Sequence, residues 1–233
     1  MILAMSKYLF TVLIGSCARG TGDAYSDIDI VRIGHQRELT QAEIRKLEGN
    51  TSTISYIDYD FATFKSLHQN GSLFIHHILT EGKLLSGSSI RWAKFIETFR
   101  VTTDLRNEID EQLRLCRWLA RPKVFTKATM PLLSHMFRAL KNAAIFSLAQ
   151  QGVYVYDKRE ALRSAFQFLD ISEIDLLISA NNAYVRGASN LNSLPTVDRN
   201  ALPNLCARVR QATQELLNNG YKTDSHRHQA GNR

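Results

Sequence analysis

One stretch near the start of the chain, Gly15–Ile30 with the sequence GSCARGTGDAYSDIDI, carries the pattern that decides the fold. Polar and apolar residues alternate over Asp27–Ile33, which is the two-residue period of a β-strand. The apolar segment Tyr8–Ile14 predicts another strand, and the small residues of Gly15–Gly22 predict a tight turn between the two. The stretch therefore indicates a strand, a glycine-rich turn and a second strand.

Two aspartates of this stretch point to phosphate chemistry. Asp27 and Asp29 lie two residues apart on the predicted strand, so their side chains share one face. Paired carboxylates bind hard cations such as Mg²⁺, and two ions ~3.5–4 Å apart can stabilise both oxygens of a phosphoryl displacement. Gly15 and Ser16 precede them in a turn whose backbone N–H groups and hydroxyl can approach a phosphate. This order of elements predicts nucleotidyl transfer.

The same residues resemble the signature of a known family. The motif GSxARG, a polar spacer and SDIDI are similar to the motif of the DNA polymerase β-like nucleotidyltransferases. The matched positions are Gly15, Ser16, Ala18, Arg19, Gly20, Ser26, Asp27 and Asp29. The resemblance implies a mixed sheet around one nucleotide site and transfer of a nucleoside monophosphate from an NTP.

The resemblance also implies roles for single residues. Asp27 and Asp29 would bind two metal ions, Mg²⁺ or alternatively Mn²⁺. Gly15 and Ser16 would hold the β- and γ-phosphates of the NTP, and Arg19 would contribute to nucleotide binding.

The family uses a third carboxylate on a later strand, and the sequence offers two candidates. Asp58 and Asp60, in the segment SYIDYDF, share one face of the predicted strand Thr53–Tyr59. We predict Asp58 as the third metal ligand and catalytic base, because Asp60 lies closer to the strand end, where it can cap the next helix. Another alignment places Ser55 at the family position, which would leave the base missing.

The rest of the chain predicts two domains and a tail. Strands and short helices are mixed over residues 1–88, which is typical of an α/β (α+β) nucleotidyltransferase sheet domain. Residues 89–220 carry apolar residues at helical spacing and predict an all-α helical bundle domain. Residues 221–233 have almost no apolar side chains and predict a disordered tail.

Local signals add detail to this division. Thr40 with Glu43 and Ser172 with Asp175 are spaced as capping boxes at helix starts. The segment Asn181–Pro203 is rich in Asn, Ser, Gly and Pro and predicts a long loop.

Positive charge is concentrated in the second part of the chain. The net charge is +7, yet residues 1–90 contain 8 Lys and Arg against 9 Asp and Glu, and residues 91–233 contain 21 against 13. Such an excess favours a polyanionic partner and salt-dependent binding. Arg138 and Lys141 lie one turn apart on the predicted helix Pro131–Gln151 and could reach a triphosphate. We predict Lys141 as a nucleotide ligand.

The sequence leaves the acceptor of the transfer open. The basic second part favours RNA, such as a tRNA 3′ end, and predicts contacts from Arg208 and Arg210. A general resemblance of the helical part to aminoglycoside nucleotidyltransferases favours a small hydroxyl compound. A third class is AMP transfer to a protein, as in antitoxins paired with a toxin or another defence-system partner. A nucleotide-binding module without turnover is the non-enzymatic alternative.

The composition excludes several classes of protein. With 44% hydrophobic and 22% charged residues, the chain is neither mainly disordered nor collagen-like. It shows no signal peptide or membrane-spanning segment, which predicts a cytoplasmic protein without a membrane partner. Cys17, Cys116 and Cys206 have no zinc-ligand spacing. Trp92 and Trp118 are expected in the core between the domains.

Overall fold

The computed structural model describes residues 10–21, 27–34, 38–47, 53–121, 129–185 and 200–220. The chain divides into two compact units, Met1–Thr102 and Thr103–Arg233. Ser26 of the matched motif and the predicted tail 221–233 lie outside the described residues.

The first unit is built on a mixed four-stranded sheet. Its elements are, in chain order, β1 (Phe10–Ile14), α1 (Gly15–Arg19), β2 (Ile28–Ile33), α2 (Gln41–Leu47), β3 (Ile54–Tyr59), α3 (Phe61–Gln69), α4 (Leu73–Glu81), β4 (Lys83–Ser86) and α5 (Ser89–Thr98). The strands lie in the order β3-β2-β1-β4. β1 is antiparallel to β2 and to β4, whereas β2 and β3 are parallel. The predicted sheet domain is confirmed, and the predicted turn at its motif begins as the short helix α1.

Apolar side chains cover both faces of this sheet. The larger cluster lies on the face that carries Val31, and Phe64 of α3 and Trp92 of α5 pack against it. The smaller cluster lies on the opposite face with Ile30 and includes Leu39. Residues two apart on a strand share a face, so β2 separates two cores by simple alternation.

Helix α5 belongs to the sheet unit. Trp92 is 5% exposed, and its ring centroid lies 5.2 Å from that of Phe10 on β1. The division of the chain therefore falls after Thr102 and not after residue 88, where the sequence placed it. Amphipathic spacing predicts that a helix buries one face but does not identify the core that receives it.

The described residues of the second unit contain helices and no strand. These are α6 (Arg106–Leu119), α7 (Thr129–Gln150), α8 (Lys158–Ala165), α9 (Ile171–Val185) and α10 (Leu202–Gly220). The long helix α7 packs against α6, α8 and α9, which confirms the predicted helical domain. The loop predicted over Asn181–Pro203 is wrong at its start, because α9 continues to Val185, and residues 186–199 lie outside the described residues. No helix in the described parts of the chain combines the length and apolar character needed to cross a membrane.

The helix starts follow local side-chain chemistry. The capping box at Thr40 is confirmed: its backbone N–H donates to Glu43 Oε2, and the Glu43 N–H donates to its hydroxyl. The box predicted at Ser172 is wrong, because α9 begins before that residue. Asp170 caps this helix instead, in reciprocal bonds with Glu173.

A glycine after α3 fixes the path of the chain toward the end of the sheet unit. Gly71 has φ of 68°, and its carbonyl accepts a hydrogen bond from the Thr102 N–H at 2.9 Å. A Cβ at this position would meet the Thr102 nitrogen and would lie 2.6 Å from the Arg100 carbonyl oxygen. Only glycine fits this left-handed turn against another backbone segment.

We expect Gly71→Ala to destabilise the sheet unit by more than the ~1–2 kcal/mol of left-handed strain alone, since the added methyl group meets backbone atoms. Gly20→Ala is the matched control, because Gly20 has φ of 74° but an added Cβ would contact nothing within 4 Å. Hydrogen exchange of the β1 and β2 amides measures the stability of this unit in both variants. Equal losses in the two variants would contradict the packing argument.

Candidate active site

The paired aspartates lie where the motif turn meets the start of β2. Asp27 immediately precedes β2, and Asp29 is its second residue. In the ladder Asp29 lies opposite Ile14, the last residue of β1, and α1 begins at the next residue. The antiparallel register of β1 and β2 thus brings the first part of the predicted motif, GSxARG, and the aspartates of its second part, Asp27 and Asp29, to one end of the sheet.

The Asp29 carboxylate lies where a side chain at Gly15 would stand. Gly15 has φ of 74°, and a Cβ added there would lie 2.9 Å from Asp29 Oδ2. Any side chain at this position would therefore combine left-handed backbone strain with a steric conflict at the carboxylate. The absence of a side chain leaves the backbone of the motif turn directly against the carboxylate.

The two carboxylates are held close together in a partly buried place. Burial raises the pKa of Asp29, and the negative charge of Asp27 raises it further. Both effects disfavour the ionised form of Asp29, and a bound cation would relieve both. Cys17 of α1 donates from Sγ to the Asp27 carbonyl oxygen at 3.4 Å, which attaches the helix to the start of β2.

Arg19, predicted to bind nucleotide, forms an ion pair within the sheet unit. Its Nη1 donates to Glu81 Oε2 at 2.8 Å, and Glu81 also lies 3.2 Å from His77 Nε2. This network joins the end of α1 to the end of α4. The sequence analysis missed Glu81 and His77, although a glutamate four residues after a histidine on one helix indicates a pair. The nucleotide role of Arg19 stays a prediction.

The structure does not bring Asp58 together with Asp27 and Asp29. In the parallel ladder Asp58 lies beside Arg32, which is three residues after Asp29 and therefore on the opposite face of β2. Arg32 donates from Nε to Asp58 Oδ1 at 2.5 Å and from Nη2 to Oδ2 at 2.7 Å. The Asp58 carboxylate is thus turned toward the other core and binds a guanidinium, which favours a structural role, and its assignment as metal ligand and catalytic base stays a prediction.

Arg32 is the residue that sequence reasoning overlooked. It is 7% exposed, and its guanidinium carbon lies 4.1 Å from the centroid of the Tyr56 ring. A cation between apolar residues of a buried strand requires an acidic partner, and the neighbouring strand contains one at Asp58. The sequence therefore already indicated a structural ion pair between Arg32 and Asp58.

The other residues considered for the third position have different surroundings. Asp60 caps α3, accepting from the Thr63 N–H at 2.8 Å, as the sequence suggested. Ser55 lies beside Asp29 in the register and shares its face of the sheet. The alignment that places Ser55 at the family position therefore agrees with the strand pairing. Nowhere in the described residues do three His, Cys, Asp or Glu side chains form a metal-binding group.

Lys141 lies in the helical unit, on α7. Burial lowers its pKa, and the neighbouring positive charges of Arg138 and Lys158 lower it further. Arg138 also donates from Nε to Asn181 Oδ1 at 3.4 Å. Three cations near each other favour an anion at this place. The assignment of Lys141 to the nucleotide stays a prediction.

A comparison with protein families agrees with this geometry. Residues 2–91 match the family described as polymerase beta, nucleotidyltransferase. The match covers the motif and all four strands, so the N-terminal part of the chain is a polymerase β-like nucleotidyltransferase domain. No curated protein matches the chain.

Asp29→Asn is expected to stabilise the metal-free protein at neutral pH. Folding raises the pKa of Asp29 above 3.8, so the ionised carboxylate destabilises the folded state at pH values above the raised pKa. As the pH falls through that pKa toward 3.8, the carboxyl group takes up a proton and the difference between the two proteins disappears. Urea unfolding in EDTA across this pH range measures the difference in the free energy of unfolding between the two proteins. A variant less stable than the wild type at neutral pH would contradict the repulsion between the carboxylates.

Asp58→Asn is expected to lower stability without removing metal binding at Asp27 and Asp29. The substitution leaves the buried Arg32 without its carboxylate, at a cost of about 1–3 kcal/mol in the free energy of unfolding. Asp60→Asn serves as the control, since it removes a carboxylate of the same segment that only caps α3. Urea unfolding and calorimetric Mg²⁺ titration measure the two effects. Lost Mg²⁺ binding with unchanged stability would restore Asp58 to the site.

Proposed function

We propose that the protein transfers a nucleoside monophosphate from an NTP to an acceptor hydroxyl. The observation that carries the proposal is that the Asp29 carboxylate occupies the space left by the missing side chain of Gly15, in a domain of the nucleotidyltransferase family. A backbone turn suited to phosphate therefore lies beside carboxylates suited to a metal. The phosphates and the metal ion of a nucleoside triphosphate–metal complex would both find partners at this end of the sheet.

The residues present fit a divalent metal ion. Asp27 and Asp29 supply hard oxygen ligands, and the raised pKa of Asp29 reflects burial of its carboxylate together with repulsion by Asp27, both of which a cation would offset. Mg²⁺ is commonly held by one or two carboxylates together with substrate phosphates and water, and Mn²⁺ accepts the same ligands. A bound ion would neutralise charge on the phosphates during transfer. Because β3 offers no carboxylate on this face, the proposal is limited to one ion.

The chain's own residues would orient the nucleotide. The Gly15 backbone and the Ser16 hydroxyl would donate to phosphate oxygens, and the Arg19–Glu81 pair would hold α1 in place. Arg19 is a positioning residue in this scheme.

A nucleotide-binding module without turnover is the second candidate. It is favoured by the serine beside Asp29, where the family alignment calls for a carboxylate. Without a base, the acceptor hydroxyl keeps its proton and transfer is slow, since general bases contribute about 10²–10⁴-fold to such reactions.

Nucleic acid is the acceptor that we include in the proposal. Thr103–Arg233 contains 18 Lys and Arg against 12 Asp and Glu, which favours a polyanion over a cationic small molecule. The RNA contact predicted for Arg208 does not support this acceptor, because the Arg208 side chain pairs with Glu173 at 2.6 Å and with Asp170 at 3.6 Å. Transfer of the nucleotide to protein or to an aminoglycoside instead of RNA would contradict this part of the proposal.

Asp27→Ala and Asp29→Ala are each expected to reduce nucleotide transfer by ~10²-fold or more, because each removes a charge that stabilises the reacting phosphate. Labelled NTPs are incubated with total RNA, cellular protein or aminoglycosides, and the label in each fraction is counted. Asp60→Asn is the matched control and should keep its activity. Near wild-type transfer in both alanine variants would contradict the proposed site.

Ser55→Asp distinguishes the enzyme from the binding module. It adds a carboxylate beside Asp29 on the same face, so it should increase transfer by a protein that binds NTP but lacks a base. Ser55→Asn is the uncharged control. If the wild type already transfers rapidly and Ser55→Asp does not increase the rate, the binding-module reading is wrong.

A further inference from the structure

An exposed tryptophan on α6 is not explained by the fold of the helical unit. Trp118 is 51% exposed, although the sequence placed it in a core. The buried face of α6 is formed by Ile109, Leu113 and Cys116, together with Leu119. At 3.6 residues per turn, Trp118 lies on the opposite side of the helix from this face. The side chain therefore presents a large aromatic surface to solvent.

The surroundings of Trp118 are basic. Arg114 precedes it by one turn on the same side of α6, and Arg121 follows it just after the helix ends. Both are exposed, and within the described residues neither forms an ion pair with a carboxylate. The three acidic residues of α6, Glu108, Asp110 and Glu111, all lie in the first half of the helix, so none of them follows Arg114.

This combination favours one kind of partner. Tryptophan and arginine are both common in protein interfaces, but the centre of such an interface is an apolar patch, and here a single aromatic residue stands between arginines. Beside Trp118, the other large apolar exposed residue of the helix is Leu115, so the apolar area is small. Single-stranded nucleic acids are held by aromatic rings on which bases stack and by cations that contact the phosphates.

We propose that the Trp118 face of α6, defined by Arg114, Trp118 and Arg121, binds single-stranded nucleic acid. A base stacks on the indole of Trp118, and the two arginines contact the phosphates on either side. The further step, that the bound nucleic acid is the acceptor, rests on the proposed transfer reaction. Binding itself needs neither NTP nor metal and is measured without them, so failure of one does not imply failure of the other.

The test uses the full chain and a fluorescein-labelled single-stranded RNA of ~12 nucleotides, with binding followed by anisotropy in EDTA. Trp118→Ala should weaken binding about 5- to 150-fold, whereas Trp118→Phe should retain most of it. Phe168→Ala is the matched control: Phe168 is an aromatic residue, 39% exposed, that lies between α8 and α9. Circular dichroism verifies that each variant is folded.

The salt dependence of binding tests the arginines. Arg114→Gln with Arg121→Gln should reduce the log–log salt slope by about 1.4, since each phosphate contact to a single strand contributes ~0.7. Arg163→Gln, an exposed arginine of α8, is the control and should change the slope little. Absence of RNA binding by the wild type, or wild-type binding by Trp118→Ala, would overturn the proposal. A dimer that forms without RNA and that Trp118→Ala disrupts would also overturn it, because the face would then bind a second copy.

Discussion

The alternation of side chains along β2 is the constraint on which the sheet unit depends. One face of this strand carries Asp29 and Val31 toward the larger core, and the other carries Ile30 and Arg32 toward the smaller one. Because the strand is paired on both sides, neither set can rotate away without breaking the ladder. A one-residue shift of register would replace the carboxylate with an isoleucine and would turn the Arg32 guanidinium into the larger core.

The electrostatic arrangement follows from that constraint. Arg32 is buried, and a bidentate bond to Asp58 satisfies it on the face of β2 opposite to Asp29. On the other face the charge of Asp29 is left close to that of Asp27, where the sheet supplies no basic residue in the same register. One face of β2 thus carries a neutralised ion pair, whereas the other carries two neighbouring carboxylates whose repulsion a bound cation would relieve. This asymmetry separates the structural ion pair from the proposed metal site in the same strand.

Local sequence signals predicted the strands, the shared face of Asp27 and Asp29, and the capping roles of Thr40 and Asp60, because each depends on residues a few positions apart. The place of Asp58 depends on the offset between β2 and β3, which is set by the packing of a whole crossover. Alternation within β3 could therefore place Asp58 and Asp60 on one face but could not identify which face of the sheet it was. Trp118 illustrates the reverse case: the spacing of the buried residues of α6 already excluded it from their face, but its hydrophobic character suggested a core.

The two tryptophans of the chain have opposite environments, and each lies in a different unit. Trp92 is 5% exposed among phenylalanines, whereas Trp118 is 51% exposed on a helix. Their fluorescence should therefore differ in wavelength and in access to dissolved quenchers. The protein carries one intrinsic optical probe for each unit, which allows the unfolding of the sheet and of the helices to be followed separately in one sample without any added label.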